Sequence, residues 1–202
     1  GLKAYRHADG SVWMFRPEVN AARFAASARR MALPELSTQD FLASIRALVE
    51  VDEAWVPSGE DSSLYLRPFM FASEALLVVR GAHRAEYLVI ASPVGSYFPT
   101  GVQPVSAWVA QDLHRAGPGG TGAAKTMGNY AASLRSLTEA YAHGCSQVCF
   151  LDAATGLDLE ELGAMNIVVV RADGQVVTPA LNGSILEGVT RDSLLTLLGE
   201  TG

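Results

Sequence analysis

Two prolines and two glycines interrupt the chain near its midpoint, within residues 93–103. Proline and glycine end regular helices and strands, and a cluster of both is typical of a connector between folded modules. On either side, the sequence returns to apolar runs and amphipathic stretches that can form cores. We therefore predict an N-terminal domain over residues 1–92 and a C-terminal domain over residues 104–202, joined by an interdomain loop.

The N-terminal half mixes strand and helix patterns. Asp9-Gly10 between two alternating stretches predicts a β-hairpin, and Pro17 opens a stretch that fits a helix to about Met31. Ser37, with Asp40 three residues later, resembles the capping box that begins a helix. Apolar runs of strand length follow at Leu64–Phe71, Leu76–Val79 and Tyr87–Ser92.

The C-terminal half has shorter and more numerous elements. A helix is predicted over Asn129–His143. Its apolar side holds Leu134, Leu137 and Tyr141, and a second helix begins near Arg191. Short strands, which look antiparallel, are expected at Val105–Ala110, Gln147–Asp152, Asn166–Arg171 and Gln175–Val177. The two halves together predict a fold between α/β and α+β.

The charge balance and the residue counts exclude some function classes. With 21 acidic against 15 basic residues the net charge is −6, which argues against a general nucleic-acid binder. The longest apolar runs, such as Tyr87–Ala91, are too short to span a membrane. Only two cysteines occur, so we expect a reducing, cytoplasmic compartment rather than a disulfide scaffold. The four histidines lack the spacing of metal ligands, and no metal site is predicted.

Lys125 follows a glycine-rich stretch and precedes a predicted helix, a position that suits two kinds of chemistry. One is a phosphate-binding loop, with glycine, four residues and then Gly-Lys-Ser/Thr. Gly119, Lys125 and Thr126 fit that pattern. Ala124 stands where the second glycine belongs, however, and Gly117-Pro118 interrupts the approach from a strand. The other is a Schiff-base lysine, which needs a fixed and partly desolvated amine.

Seven short segments, spread over the whole chain, form a further pattern. In chain order they are Gly1–Arg6, Trp55–Pro57, Leu64–Pro68, Ser92–Phe98, Gly120–Tyr130, Glu161–Asn166 and Gly188–Asp192. In order and spacing they resemble the branched-chain amino-acid aminotransferases, enzymes of fold type IV that depend on pyridoxal 5′-phosphate (PLP). The resemblance implies a two-domain fold like that of D-amino-acid aminotransferase, with an N-terminal α/β sandwich and a partial C-terminal pseudo-barrel.

The resemblance implies a role for each residue around the cofactor ring. Lys125 would form the Schiff base with PLP and then carry a proton to and from the substrate. Glu161 would pair with the pyridine nitrogen, and Tyr130 would hydrogen-bond the ring oxygen. Taken alone, each residue has an ordinary alternative: a solvated loop lysine, a surface acid one residue from Glu160, and an aromatic anchor on a helix.

Further positions would hold the cofactor's phosphate and the substrate. The phosphate needs a cation and free backbone N–H groups at the start of a helix. The residues that the resemblance assigns to it are Arg23, Gly188, Val189 and Thr190. Those that it assigns to the substrate are Tyr65, Arg67 and Ala164.

The implied reaction moves the amino group of leucine, isoleucine or valine onto 2-oxoglutarate in a ping-pong cycle. The implied partners are the amino-acid and 2-oxo-acid substrates and a second copy of the protein in a homodimer. Two alternatives with the same fold stay open. One is an inactive remnant, and the other is a different fold type IV enzyme, such as a D-amino-acid transaminase or an aminodeoxychorismate lyase.

Three positions depart from the family pattern. Met127 replaces a glycine two residues after Lys125, and it is costly there if that glycine needs a positive φ or a close approach to the cofactor. Ala164 replaces a residue that is often threonine, and Glu187 replaces a proline before the expected phosphate segment. The chain also begins at Gly1 in strand-like sequence, so we expect a piece of a longer protein, truncated at both ends.

Overall fold

The chain divides into two compact units, Gly1–Gln103 and Pro104–Gly202. The computed structural model describes residues 1–96 and 101–201. Residues 97–100, which belong to the expected interdomain loop, lie outside the described part. Within that part, no helix combines the length and the apolar character that crossing a membrane requires.

The first unit contains a four-stranded antiparallel sheet in the order β2-β1-β3-β4. Its strands are β1 (Leu2–Arg6), β2 (Val12–Met14), β3 (Ser63–Ala72) and β4 (Ala85–Val94). The predicted turn at Asp9-Gly10 joins β1 to β2, and Ala4 lies opposite Met14 across this hairpin. β4 continues through Pro93 and Val94, two residues that the sequence pattern places in the connector.

Two helices, α1 (Pro17–Arg30) and α2 (Thr38–Val51), share one core with this sheet. The predicted cap of α2 is present, since the Ser37 Oγ accepts the Asp40 N–H at 3.0 Å. The apolar face of α2 is buried, as its helical spacing requires. The buried core residues are Leu2, Ala4, Ala21, Phe41, Ile45, Val49, Val56, Leu64 and Leu66.

The strand predicted at Leu76–Val79 is wrong. These residues lie in the connection between β3 and β4, and Leu77 and Val79 are fully exposed. The β3–β4 ladder ends where Ala72 pairs with Ala85, so the apolar run lies beyond the last paired residues and has no neighbouring strand. Apolar composition alone does not make a strand when the backbone has no partner.

The second unit is built on a three-stranded sheet in the order β5-β6-β7. Its strands are β5 (Ala107–Ala110), β6 (Gln147–Leu151) and β7 (Leu159–Leu162). The expectation that the strands are antiparallel is wrong for one pair, because β5 and β6 run parallel while β6 and β7 are antiparallel. A separate hairpin, β8 (Val169–Val170) with β9 (Val176–Val177), and α4 (Val189–Thr201) complete the unit. The described residues form no closed barrel.

Helix α3 (Met127–Ala142) connects β5 to β6 and packs against β6. The apolar side predicted for it is only partly buried: Leu137 packs against the core cluster, whereas Leu134 is 61% exposed and Tyr141 is 60% exposed. The buried residues of α3 are instead small or polar: Asn129, Ser133, Ser136 and Ala140. Small side chains allow the helix to lie close to the sheet, where Ala140 contacts the cluster around Val148 and Phe150.

Candidate active site

Lys125 ends the glycine-rich loop and stands just before α3. Its Nζ donates a hydrogen bond to the Tyr130 Oη at 2.8 Å, and it lies 5.4 Å from the centre of the Tyr130 ring. Tyr130 belongs to the first turn of α3, so the start of the helix fixes the distance between the two side chains. An amine and a phenol that can share a proton are therefore in direct contact.

Asn129 anchors the loop that carries Lys125. Its Nδ2 donates to the carbonyl oxygens of Thr121, at 2.9 Å, and of Ala124, at 2.8 Å. Its Oδ1 accepts the Thr121 hydroxyl at 2.7 Å. The side chain is buried and uses both donors and its acceptor, so it holds the loop in one conformation immediately before the lysine. The motif contains Asn129, but its role was not foreseen from the sequence.

Gly122 lets this loop lie directly against the segment that precedes α4. A Cβ at Gly122 would stand 2.0 Å from the Ser184 carbonyl oxygen, which no real side chain tolerates. The Ala123 N–H donates to the Gly183 carbonyl oxygen at 3.1 Å and joins the two segments further. The glycine is needed here for close approach of two backbones.

Glu161 lies on β7 and is buried, with 3% of its surface exposed. Its Oε2 accepts the Arg115 Nε–H at 3.0 Å, a second N–H from Arg115 Nη2, and the Leu186 backbone N–H at 3.1 Å. Its Oε1 accepts the Asn166 Nδ2–H at 3.2 Å. Burial raises the pKa of the Glu161 carboxyl, and the Arg115 guanidinium and the Leu186 N–H act against that rise.

Arg115 is the buried cation of this site, with 6% of its surface exposed. Besides Glu161 it contacts the glycine-rich loop, because Nη2 also donates to the Gly122 carbonyl oxygen at 3.2 Å. It was not among the predicted residues. The only available signal was indirect: a glutamate buried in a strand needs a cation nearby, and nothing in the sequence around His114-Arg115 distinguishes that cation from a surface arginine.

One recess collects four of the predicted residues. Lys125, Tyr130, Glu161 and Ala164 line it, together with Arg115 and Asn129. All of them belong to the second unit. The recess therefore combines an amine, a phenol and a carboxylate held by a buried cation, a set that can bind a polar aromatic ring and move protons beside it.

The neighbouring Glu160 is also buried, but it does not line the recess. One of its oxygens accepts the Asn182 Nδ2–H at 3.4 Å, and the other has no hydrogen-bond partner. Burial raises the pKa of the Glu160 carboxyl. Because Glu161 accepts hydrogen bonds from Arg115 and lines the recess, whereas Glu160 does neither, the geometry favours Glu161 over Glu160 as the ring-binding carboxylate.

The expected phosphate segment stands at the N-terminus of α4. Val189 and Thr190 are the first residues of that helix, and Gly188 precedes them. A Cβ at Gly188 would stand 2.0 Å from the Asn166 Oδ1, so a larger residue at this position would require the Asn166 side chain to move. The Asn166 Nδ2 donates hydrogen bonds to the Glu161 Oε1 and to the Leu186 carbonyl oxygen. Asn166 therefore connects the segment before α4 to the buried carboxylate.

The three remaining predicted residues lie in the first unit. Arg23 is on α1, and its Nη2 donates to the Asn20 Oδ1 at 3.3 Å. Tyr65 and Arg67 share one face of β3, where the Arg67 Nε donates to the Tyr65 Oη at 3.4 Å. Their assignment to the phosphate and the substrate stays a prediction.

Two of the departures from the family pattern have no visible structural cost. Met127 is the first residue of α3, and it is 77% exposed. Met127 therefore needs neither a left-handed backbone nor buried space, and the expected cost of a positive φ does not arise. Glu187 is likewise exposed.

The structure does not favour the alternative of a phosphate-binding loop around Lys125. β5 ends at Ala110, well before Lys125, so no strand leads directly into the loop as a phosphate-binding loop requires.

Comparison with known proteins identifies the family. The family model for amino-transferase class IV matches residues 3–202. Over its whole length the chain is 59% identical to a probable branched-chain-amino-acid aminotransferase of Streptomyces coelicolor. It is 55% identical to a branched-chain-amino-acid aminotransferase of Mycobacterium tuberculosis. The chain spans 56% of the length of each of these relatives.

Solved structures give the same result at the level of the fold. The branched-chain amino acid aminotransferase of Escherichia coli matches all of this chain with a TM-score of 0.85, at 26% identity and over 64% of its own length. The PLP form of the Thermobaculum terrenum enzyme matches 99% of this chain with a TM-score of 0.83, at 23% identity and over 63% of its own length. The predicted fold type IV architecture and the predicted resemblance are confirmed, and the chain belongs to the class IV aminotransferase family.

Proposed function

We propose that the protein to which this chain belongs transfers the amino group of leucine, isoleucine or valine onto 2-oxoglutarate, with PLP as its cofactor. The recess carries the proposal: Lys125 contacts Tyr130 there, and Glu161 is held by a buried arginine on the same recess. Relatives that are 54–59% identical over the whole chain and carry the name of this activity support it.

The residues present fit PLP at each of its polar groups. Lys125 offers an amine for the aldehyde, Tyr130 a phenol for the ring oxygen, and Glu161 a carboxylate for the ring nitrogen. The N-terminus of α4, opened by Gly188, offers backbone N–H groups for the phosphate. When bound, PLP supplies an electron sink that stabilises negative charge on the substrate's α-carbon.

Lys125 is the proposed general base and acid. A primary amine that stands beside the substrate's α-carbon can remove a proton there and return it elsewhere. The hydrogen bond to the Tyr130 Oη keeps the Lys125 Nζ in the recess and gives its proton a second acceptor. Asn129 maintains this geometry because it fixes the loop that precedes the lysine.

The proposed role of Glu161 is electrostatic. A carboxylate on the ring nitrogen favours the protonated ring, and it must stay ionised to do so. The donors on both of its oxygens hold the carboxylate in one orientation. Ala164 lines the same recess, and we propose that it lies beside the substrate's carboxylate.

The roles of the first unit rest on the resemblance alone. We propose Arg23 as a phosphate-binding cation, and Tyr65 and Arg67 as substrate-binding residues. An arginine and a tyrosine suit a substrate that carries a carboxylate. A homodimer is proposed on the same basis, and sedimentation of the purified protein would test it. A cytoplasmic location is proposed from the low number of cysteines.

Covalent labelling of the lysine tests the proposal. The 202-residue chain contains two lysines, Lys3 and Lys125, so the labelled residue can be identified without ambiguity. We expect borohydride reduction in the presence of PLP to attach the cofactor to Lys125, as read by peptide mass spectrometry. Lys125→Ala should lose the label and all transamination of leucine with 2-oxoglutarate, while Lys3→Arg should keep both. Labelling of Lys3 alone would refute the proposal.

The alternatives are less well supported. Met127, Glu187 and the short length of the chain are the arguments for an inactive remnant. Met127 is exposed and has no positive φ, so it gives that alternative no structural support. A D-amino-acid transaminase or an aminodeoxychorismate lyase would share the recess but not the names of the relatives. Turnover of D-alanine or release of pyruvate from aminodeoxychorismate, without turnover of leucine, would favour those enzymes.

A further inference from the structure

Arg115 has no part in the roles proposed so far, although it is the buried cation of the recess. Its guanidinium makes two hydrogen bonds to one oxygen of Glu161 and a third to the Gly122 carbonyl oxygen. Burying a charge of this kind costs free energy unless an opposite charge and hydrogen bonds in good geometry offset that cost.

The two oxygens of Glu161 are not equivalent. Oε2 accepts three N–H groups, two from Arg115 and one from the Leu186 backbone. Oε1 accepts only the Asn166 Nδ2–H. A carboxylate oxygen has two lone pairs, so Oε2 is fully used and Oε1 keeps one lone pair for a further donor.

We propose that Arg115 is a positioning residue that keeps Glu161 ionised inside the recess and reserves its Oε1 for the N–H of the cofactor ring. The inference rests on the proposed function for the identity of that donor. The ionisation of Glu161 itself depends only on residues of the described chain.

Among the groups around Glu161, Arg115 lowers the pKa of its carboxyl most, and so opposes the effect of burial most strongly. Burial raises the pKa of the carboxyl, and the like charge of Glu160 on the same strand raises it further. On β6, Phe150 lies opposite and carries no charge. Lys125 and Tyr130 line the same recess but bond to each other. Without Arg115 the pKa of the Glu161 carboxyl would rise further, and a protonated Glu161 would donate rather than accept at the ring nitrogen.

The ionisation can be measured without PLP. Glutamate labelled with 13C at the side-chain carboxyl is titrated by NMR, and Glu161→Gln identifies the resonance of Glu161. In Arg115→Met we expect the acid ionisation constant of Glu161 to fall at least about tenfold, as loss of an adjacent opposite charge predicts. Arg135→Met, which removes the same charge from the exposed side of α3, should leave it unchanged. A change of less than about threefold in folded Arg115→Met overturns the proposal.

A folding failure of Arg115→Met would also be informative. If the lost pair is the cause, the double variant Arg115→Met/Glu161→Gln carries no unpaired buried charge, and its far-UV circular dichroism should return to that of the parent chain. A double variant that stays unfolded would mean that Arg115 acts by packing alone, which also overturns the proposal. Arg115→Lys keeps the charge and should keep Glu161 ionised.

Kinetics of the PLP-loaded protein provide an independent second measurement. In Arg115→Met we expect kcat to fall with KM little changed, and the acid limb of the pH profile to move to higher pH. If the titration shifts as expected but the parent protein has no transaminase activity, the proposed function fails and the ionisation role stands. If the parent is active and the titration does not shift, only this inference fails.

Discussion

At the scale of single residues, the site depends on side chains that never need to touch a substrate. Asn129 fixes the loop before Lys125, Arg115 holds Glu161, and Asn166 joins Glu161 to the segment that opens α4. The sequence predicts that Lys125, Tyr130 and Glu161 belong to one site because they stand in specific motifs, and all three line one recess. The supporting side chains could not be predicted, because their roles arise from contacts between segments that are distant in the chain.

Asn129→Asp is expected to weaken the loop. The carboxylate cannot donate, so the carbonyl oxygens of Thr121 and Ala124 lose their partners and face a negative charge. We expect the free energy of unfolding to fall by about 2–4 kcal/mol, since each buried unsatisfied group costs about 1–3 kcal/mol. Urea denaturation followed by circular dichroism measures the change. Asn20→Asp, which removes one donor at 3.3 Å from the Arg16 carbonyl oxygen, serves as control, and an equal loss there would contradict the argument.

At the scale of secondary structure, β7 and α3 show where sequence patterns mislead. The caps and periodicities of the first unit predicted α1 and α2 because local hydrogen bonds and one apolar face define them. α3 mainly buries small residues, and of its three predicted apolar residues Leu137 packs against the core while Leu134 and Tyr141 are exposed. β7 buries Glu160 and Glu161 in succession. Because adjacent strand residues face opposite sides of a sheet, each face of β7 carries one buried carboxyl group.

The buried Glu160 should make stability depend on pH. Its folded pKa is raised, so the stabilising contribution is complete below the ordinary glutamate pKa of about 4.3 and is lost as the pH rises through the folded value. Glu160→Gln removes this titration, so its free energy of unfolding should fall less between about pH 4 and about pH 8 than that of the parent chain. Denaturation at a series of pH values measures the slope. The exposed Glu139→Gln should keep the parent slope, and an unchanged slope in Glu160→Gln would exclude this explanation.

The buried face of α3 should resist added volume. Ser136 is fully buried, so Ser136→Leu is expected to cost about 1–3 kcal/mol through overpacking. Ser136→Ala adds no volume and removes a hydroxyl that has no hydrogen-bond partner, so it should be neutral or stabilising. Leu134→Ser on the exposed side should change stability by less than about 1 kcal/mol. Thermal denaturation of the three variants compares them, and a larger loss in Leu134→Ser than in Ser136→Leu would reverse the assignment of faces.

At the scale of the whole molecule, the chain contains two units of mixed structure. It spans 56% of the length of its Streptomyces coelicolor relative. The sequence predicted the family and the fold because seven segments stand in one order, a signal that no single motif carries. It did not predict the parallel pairing of β5 with β6, because short strands have no local mark of their direction.

PLP should stabilise the folded chain if the recess binds it. A ligand at 100 times its Kd adds about 2.7 kcal/mol to the free energy of unfolding when it binds only the folded state. We expect a rise in Tm on addition of PLP to the parent chain and a much smaller rise in Lys125→Ala. Pyridoxine, which lacks the aldehyde and the phosphate, is the matched control. A Tm that rises equally in both chains would place the binding elsewhere.

The parallel pairing of β5 and β6 ties the site to the order of folding. Parallel neighbours need a crossover connection, and here the crossover consists of the glycine-rich loop, Lys125 and α3. The lysine therefore reaches its place only when the crossover closes over the sheet, a long-range step that is entropically slow. A chain in which α3 has not yet docked carries Lys125 and Glu161 on separate, unassembled segments. We therefore expect cofactor binding to require that α3 is docked on the sheet.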